Sequence, residues 1–589
     1  MSEHHSSHER QSFWTHYVFS TDHKMIGKQY YFTAMFMALF ATAWSLLLRI
    51  HLAWPDKTWP VLGRLFPGLF QEGVLLPERY LSLVTMHGTV MIFFVVSIAL
   101  VSGFGNFIIP LQIGARDMAY PFLNMLSYWT IVPACLLMLG SFFVPDGAAG
   151  SGWTAYPPLS AVPEAAPGSG MGQTLWILAM ALFIASFTMG GLNFVTTILN
   201  CRTRGLSMMR LPLMIWTLFV ASILGILAFP ALTAAAIMLL LDRLGPTSFF
   251  LPAGLVFGGT VLQHAGGTPL LFQHLFWFLG HPEVYVLVLP ALGIAFEVVT
   301  VFGRRPVFGY QTSVWALLVV AVLSMIVWGH HMFVSGMNPA IGEYFSIATV
   351  SITAPFAILA MNLVASLWRA ELRLSPALLF VLALMASVGI GGLGGVFLAT
   401  LTSDIYLHNS YFVVGHFHLM IAVVTFFAIF AGTYLWYPKM FGRQLNETLG
   451  KLHFWLTVPG VIVGFVGMHF LGMGGEQRHL YDPNAYQFLQ HLQWLNVVIT
   501  FALGSAAVAQ IIFLANFFWS LRFGPQAAPN PWEATTLEWT TPSPAPHGNW
   551  PGELPVAYRG PYEYRVGGAA FTPQNKPDFV APSRAPVPA

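Results

Sequence analysis

Apolar runs of about twenty residues or more recur from one end of this 589-residue chain to the other, and they leave it few ways to fold. They fall near 29–50, 80–110, 121–144, 173–200, 211–241, 268–300, 307–333, 343–368, 376–400, 404–437, 453–473 and 490–521. Each is long enough to cross a hydrocarbon core about 30 Å thick at 1.5 Å per helical residue. Backbone groups in lipid must find partners within their own segment, so the runs are expected to be helices. The expected fold is an all-α integral membrane protein, a bundle of about twelve transmembrane helices. Composition agrees: 56% of residues are hydrophobic and 8% charged, against about 25% charged in a soluble domain. A net charge of +2 offers nucleic acid no purchase. Cys135 and Cys201 are the only cysteines, which excludes a disulfide framework or a dinuclear thiolate copper site within the chain.

Basic residues in short loops set the expected orientation. With the N-terminus cytoplasmic, the inner loops carry Arg116; Arg202, Arg204 and Arg210; Arg304 and Arg305; Arg369 and Arg373; and Lys439, Arg443 and Lys451. The outer stretch 145–172 has no Lys or Arg. The reading divides the chain into a polar cytoplasmic segment (1–28), a membrane domain (29–522) and a Pro/Gly-rich cytoplasmic tail (523–589) lying on the surface. No cleavable signal peptide is expected in 1–28, whose histidines and serines read as a plain polar tract rather than a metal site.

Twenty histidines are the anomaly in so apolar a chain. Ionisable side chains inside membrane helices are costly and usually mark function, and metal is the first chemistry to test. Four clusters stand out: His87 in the second run, His281-Pro282-Glu283-Val284-Tyr285 in the sixth, His330-His331 late in the seventh, and His416-Phe417-His418 in the tenth. Residues two apart on a helix diverge by about 200°, so His416 and His418 face opposite sides. One helix can therefore ligate two different macrocycles. His281 and Tyr285, four apart, share a face, and Glu283 points roughly the other way. His330 and His331 diverge by about 100° and reach one metal only if the helix end is distorted. With His281 they make a three-imidazole site suited to copper. Taken singly, His87 reads as a hydrogen-bonded packing residue, as do His264, His274 and His469; the joint pattern argues for metal.

The order and context of these motifs resemble subunit I of the heme-copper oxidases, most nearly the A-type cytochrome c oxidases. The resemblance runs from Ser20-Thr21-Asp22-His23-Lys24 to Thr536-Leu537-Glu538-Trp539, with Gly103-Phe104-Gly105-Asn106, Gly152-Trp153-Thr154-Ala155-Tyr156-Pro157-Pro158 and Leu445-Asn446-Glu447-Thr448-Leu449-Gly450 between. It implies two hemes held between helices, low-spin and high-spin and a-type, and one copper ion. His87 and His418 are then the axial ligands of the low-spin heme, His416 the proximal ligand of the high-spin heme, and His281, His330 and His331 the copper ligands. The same carry-over has Arg49 contact a polar substituent of the low-spin heme and Arg478 neutralise propionates, with Trp153 and Asp404 also at the cofactors. Tyr285 becomes the tyrosine cross-linked to its copper-ligand histidine, supplying an electron and a proton when the O–O bond breaks. Asp117, by itself an ordinary loop carboxylate, is similar in setting to the start of the family's D proton pathway, with Asn106, Asn124 and the deeper Glu283. Implied partners are an electron-entry subunit like subunit II and other oxidase subunits, with cytochrome c or quinol as donor.

The chain also departs from the family. Its K-type proton pathway needs a Ser, a Thr and a Lys; Phe296, Phe356 and Leu359 stand at those positions, with Asn362 nearby. Asn409 follows His408 where the family has Asp, so a Mg²⁺ site is expected to be weaker or absent, and His479 replaces the second of an Arg pair. The expected function is the catalytic subunit of a terminal oxidase reducing dioxygen to water, coupled to proton translocation. Nitric oxide reduction on the same scaffold is the alternative, and a secondary transporter of about twelve helices the reading from another class.

Overall fold

The computed structural model describes residues 12–263, 266–565 and 569–577. His4, His5 and His8 of the polar start, His264, and residues 578–589 lie outside the described residues. The apolar runs form twelve helices: α1 (His23–Ala53), α2 (Pro77–Ile113), α3 (Pro121–Gly140), α4 (Met171–Asn200), α5 (Leu213–Leu244), α6 (Pro269–Gly303), α7 (Tyr310–Ser324), α8 (Pro339–Ser366), α9 (Pro376–Ala399), α10 (Tyr411–Phe441), α11 (Glu447–Met473) and α12 (Gln493–Phe523). All but the 15-residue α7 are long and apolar enough to span a bilayer. Helices α2, α3, α6, α8 and α9 open on a proline in their first turn, where its missing N–H costs nothing. Helices α2 and α10 end on Gly114 and Gly442 at φ 72° and 71°, left-handed positions that glycine adopts without strain.

The most apolar windows of α2 and α6 are 89% buried, against 28% for α12, so α2 and α6 form the centre of the bundle. Those two carry His87, His281, Glu283 and Tyr285. Helix α2 is not uniform: Pro77–Thr89 is α-helical, Val90–Gly103 is π-helical and Phe104–Ile113 is α-helical again. Helix α10 has a π segment of its own, His418–Val423. Such segments are rare and concentrate at functional sites.

Three boundaries differ from the sequence expectation. Helix α1 starts six residues earlier, capped by Asp22, whose side chain accepts from Lys24 N. The run 404–437 is broken: Asp404 lies in a short helix, Leu401–Leu407, and the chain turns at Asn409 (φ 56°) before α10 begins. The run 307–333 stops as an α-helix at Ser324, and His330-His331 sit in a separate 3₁₀ turn, Trp328–Met332. Gly329 permits that turn to pack, since a Cβ there would lie 2.3 Å from the Phe345 ring. Two small antiparallel hairpins, β1–β2 (Phe70–Gln71, Val74–Leu75) and β3–β4 (Val256–Phe257, Thr260–Val261), belong to the loops after α1 and α5.

The face at which α1 begins, the near face, is closed by the tail. Rather than lying on the surface, the tail inserts Glu538, Trp539, Asn549, Tyr562 and Tyr564 as buried residues. Asn549 is the central clamp: its Oδ1 accepts from Lys24 Nζ at 2.8 Å and lies 3.0 Å from His23 Nε2, while its Nδ2 donates to Ala115 O at 2.8 Å. Arg116 donates to the carbonyls of Gly548, Trp550 and Gly552.

Candidate metal centre

His87, about ten residues into α2, and His418, about seven into α10, bring their rings together inside the bundle. The ring centroids are 6.4 Å apart and the planes within 8° of parallel. Two imidazoles bound on opposite sides of one metal at about 2.0 Å have centroids about 6.3 Å apart, so the pair fits a single iron between them. Each Nδ1 is committed to a backbone carbonyl, His87 to Ala41 at 2.9 Å and His418 to Val414 at 2.8 Å. That fixes the tautomer and leaves Nε2 as the ligand atom. Nearby, Arg49 is buried with Nε and Nη1 unpartnered, donors suited to a polar substituent of a macrocycle. The His418 ring also stacks on Phe465 at 4.6 Å.

His416 projects from the other side of α10, against the glycine-rich face of α9. Its Nδ1 pairs with Gly391 O at 2.8 Å, again leaving Nε2 free. A Cβ on Gly395 would meet His416 Cε1 at 2.9 Å, so the imidazole needs glycine there.

Three further imidazoles converge. His281 Nδ1 is 3.3 Å from His331 Nε2, and His330 Nε2 is 3.1 Å from the same nitrogen. Ligand nitrogens about 2.0 Å from one metal stand roughly 3.3 Å apart, so this trio fits a metal ion. It is the only group of three or more metal-ligating side chains within reach of one another among the described residues. His330 Nδ1 is anchored on Thr349 Oγ1 at 2.8 Å. The Trp277 ring lies on His331 at 3.7 Å and 9°, and its Nε1 donates to Tyr156 OH. Tyr285 and His281 have ring centroids 4.9 Å apart, and His281 Nε2 is buried without a partner. Trp153 packs over Gly88, next to His87, and meets Trp277 edge-on at 5.8 Å, bridging the two regions.

A polar line approaches from the near face. Asp117 stands in the loop after α2, where burial pushes its carboxyl up and the nearby His23 opposes the shift. Asn124 is fully buried with both amide atoms unpartnered, and Asn106 Oδ1 and Glu283 Oε2 are unpartnered too. Buried amides and carboxyls left without protein partners are satisfied by water. Tyr30 OH, Ser127 Oγ and Ser186 Oγ are linked at 2.9 and 3.3 Å, and Ser97 Oγ donates to Glu283 Oε1 at 3.2 Å. Tyr30, Ser97, Ser127 and Ser186 belong to no motif; isolated hydroxyls within apolar runs are their only sequence signal.

The departures also take physical form. Phe296 and Leu359 are fully buried and Phe356 partly so. Asn362 does not bridge them: its Nδ2 is spent on Gly309 O, Thr312 Oγ1 and Ser313 Oγ at the start of α7. Asp404 is buried and paired with His408 Nδ1 at 2.9 Å. The Arg478 guanidinium lies 5.7 Å over the Phe417 ring, between His416 and His418. His479 lies beside Gly152. His274 accepts from Trp328 Nε1 at 3.3 Å and His469 bonds Phe465 O at 2.9 Å, both as packing residues.

Comparison with known proteins gives the family of the chain. The family described as cytochrome c and quinol oxidase polypeptide I matches residues 25–504. The alternative cytochrome c oxidase subunit 1 of Bradyrhizobium diazoefficiens is 45% identical over 571 residues, 96% of this chain and 94% of that one. Cytochrome c oxidase subunit 1 of Synechocystis is 40% identical over 95% of both chains, and that of Cereibacter sphaeroides 38% over 92% and 96%. A chain from a cryo-EM structure of a heme-copper terminal oxidase dimer shares the fold, with TM-score 0.64 at 19% identity over 86% of this chain and 85% of that chain. The chain therefore belongs to the cytochrome c and quinol oxidase polypeptide I family, the catalytic subunits of heme-copper terminal oxidases.

Proposed function

We propose that this subunit reduces dioxygen to water between His416 and the His281–His330–His331 trio, with His87 and His418 holding the electron-transferring heme. The observation that carries this reading is the convergence of six imidazoles in three geometrically distinct sets, four of them with Nδ1 already committed to a neighbour. Two hemes and a copper ion, when bound there, supply the electron storage and the redox chemistry of O–O cleavage. His87 and His418 would together hold one heme, which two imidazoles would confine to electron transfer, and His416 alone would hold the other, leaving it free to take a diatomic ligand. The unpartnered Arg49 donors favour a formyl-bearing, a-type macrocycle. Tyr285, against His281, is the group that gives a proton and an electron to the site, and the unpartnered His281 Nε2 is the atom available for a cross-link to it.

Protons enter at Asp117 and pass Asn106, Asn124 and the Tyr30–Ser127–Ser186 hydroxyls to Glu283. The K-type positions carry no such line, so this route serves the whole reaction. The basic loops make the near face cytoplasmic, with both termini on that side. The chain has neither a heme-attachment motif nor a thiolate copper site, so electrons arrive through a separate entry subunit, with cytochrome c or quinol as the donor. The division into N-terminal segment, membrane domain and tail is kept, with the membrane domain opening at His23 rather than at 29 and closing at Phe523 rather than at 522. Nitric oxide reduction, which needs fewer protons and electrons, is the reading favoured by apolar Phe296 and Leu359 alone. Turnover of the purified complex with each gas under reductant separates the two. Rapid oxygen uptake is expected; negligible uptake beside fast nitrous oxide production would reverse the assignment.

A further inference from the structure

Arg49 and Glu476 are buried residues close to each other on the far side of the bundle, opposite the near face, and no salt bridge joins them directly. The Asn496 side chain connects them. Its Oδ1 accepts from Arg49 Nη2 at 2.8 Å, and its Nδ2 donates to Glu476 Oε2 at 2.9 Å. The backbone carbonyl of Asn496 takes a second bond from Arg49 Nη2 at 3.0 Å, and Thr500 Oγ1 donates to Arg49 O at 2.9 Å. One amide thus offers its acceptor end to a cation and its donor end to a carboxylate, and Gln493 Oε1, 3.3 Å from Nδ2, holds the same orientation. What remains unsatisfied is specific: Arg49 Nε and Nη1, and Glu476 Oε1.

A buried guanidinium needs a counter-charge. Burial pushes the Glu476 carboxyl up, and Arg49 and the Asn496 amide oppose that shift and favour the carboxylate; both Arg49 and Arg478 lie within electrostatic reach of His418. Arg49 is also two turns, about 12 Å, along α1 from Ala41, the residue that anchors His87. The charge state of this pair is therefore felt at the heme held by His87 and His418.

We propose that Glu476, acting through Asn496, is a positioning residue that aims Arg49 at the low-spin heme and lowers that heme's reduction potential by balancing the guanidinium charge. The proposal rests on the assignment of His87 and His418 as the ligands of that heme. Two roles are separable because the carboxylate supplies a charge and the amide supplies a direction. Glu476→Gln keeps an acceptor for Asn496 Nδ2 and removes the negative charge. Asn496→Leu removes the bridge and leaves both charges in place.

The test is a spectroelectrochemical titration of the purified holoenzyme, with iron and copper counted per chain. Glu476→Gln should shift the low-spin heme toward its reduced form by about tenfold, a rise of about 59 mV for one electron, with the visible band unmoved. Asn496→Leu should displace the low-spin visible band, because Arg49 Nε and Nη1 lose their fixed direction. A Glu476→Gln potential within twofold of wild type overturns the proposal, as does a lowered one. Loss of the low-spin heme in Glu476→Gln also overturns it, since the carboxylate would then be structural. His418→Ala should abolish the low-spin band; a band that survived would instead remove the ligand assignment beneath the proposal.

Discussion

Replacing Gly395 by alanine isolates the His416 site, the high-spin site of the proposal, from everything else in the bundle. The added Cβ would stand 2.9 Å from His416 Cε1, where ordinary contact begins near 3.4 Å, so the ring or α9 must give way by about 0.5 Å. The ring is not free to move, because its Nδ1 is tied to Gly391 on the same helix at 2.8 Å. Breaking that bond costs about 1 kcal/mol. The helix itself gains about 1 kcal/mol, since alanine is the better helix former. The two nearly cancel, so the variant should be about as stable as the parent. Its site should not be as active: a misplacement of 1 Å can cost about 10²-fold in rate, so half of that points to about tenfold. The assay is steady-state oxygen uptake by the purified complex, beside carbon monoxide difference spectra of the reduced enzyme and thermal unfolding. The low-spin band should stay put, because His87 and His418 do not touch α9 at Gly395. Turnover within twofold of wild type, with an unchanged carbon monoxide spectrum, would refute the reasoning.

Trp277→Ala removes the ring that lies 3.7 Å over His331 and should lower copper content while iron stays unchanged, as metal analysis will show. Asn549→Ala deprives Lys24 of a buried acceptor and should loosen the tail by about 2 kcal/mol, seen as faster cleavage there by a protease. Burial pushes the Asp22 carboxyl up, but His23, Lys24 and His547 together hold it below its usual 3.8. A carboxyl depressed on folding stabilises above its unfolded value and loses that contribution as pH falls. Tail release is therefore expected as pH drops below about 4, and Asp22→Asn should remove that pH dependence.

Much of this was legible because hydrophobicity and histidine are both conspicuous. The spans could be counted, since a run long enough to cross lipid has only the helix available to it. The pairing of His416 with His418 on opposite faces followed from helical geometry, and the need for distortion at His330-His331 is met by the 3₁₀ turn. The break at Asn409 was invisible because Ile405, Tyr406 and Leu407 keep the run apolar across it. The π segments were equally hidden: hydropathy does not report which carbonyl an N–H selects. Ser97 shows the cost, since its Oγ bonds Ile92 O, five residues back, and reaches Glu283 only from that wider turn. Asn496 and Glu476 lie 20 residues apart with no shared motif, and only the folded chain makes them neighbours of Arg49.

Asn549 has a temporal consequence. It grips His23, 526 residues earlier in the chain. At ribosomal speeds of about 5–20 residues per second, roughly half a minute to two minutes pass between the emergence of the two. Throughout that interval Ala115 and Arg116 lack their tail partners, and the helices can be threaded and paired before the last stretch closes the near face. Maturation thus has an order written into the polypeptide, in which the near face is finished after the bundle it closes.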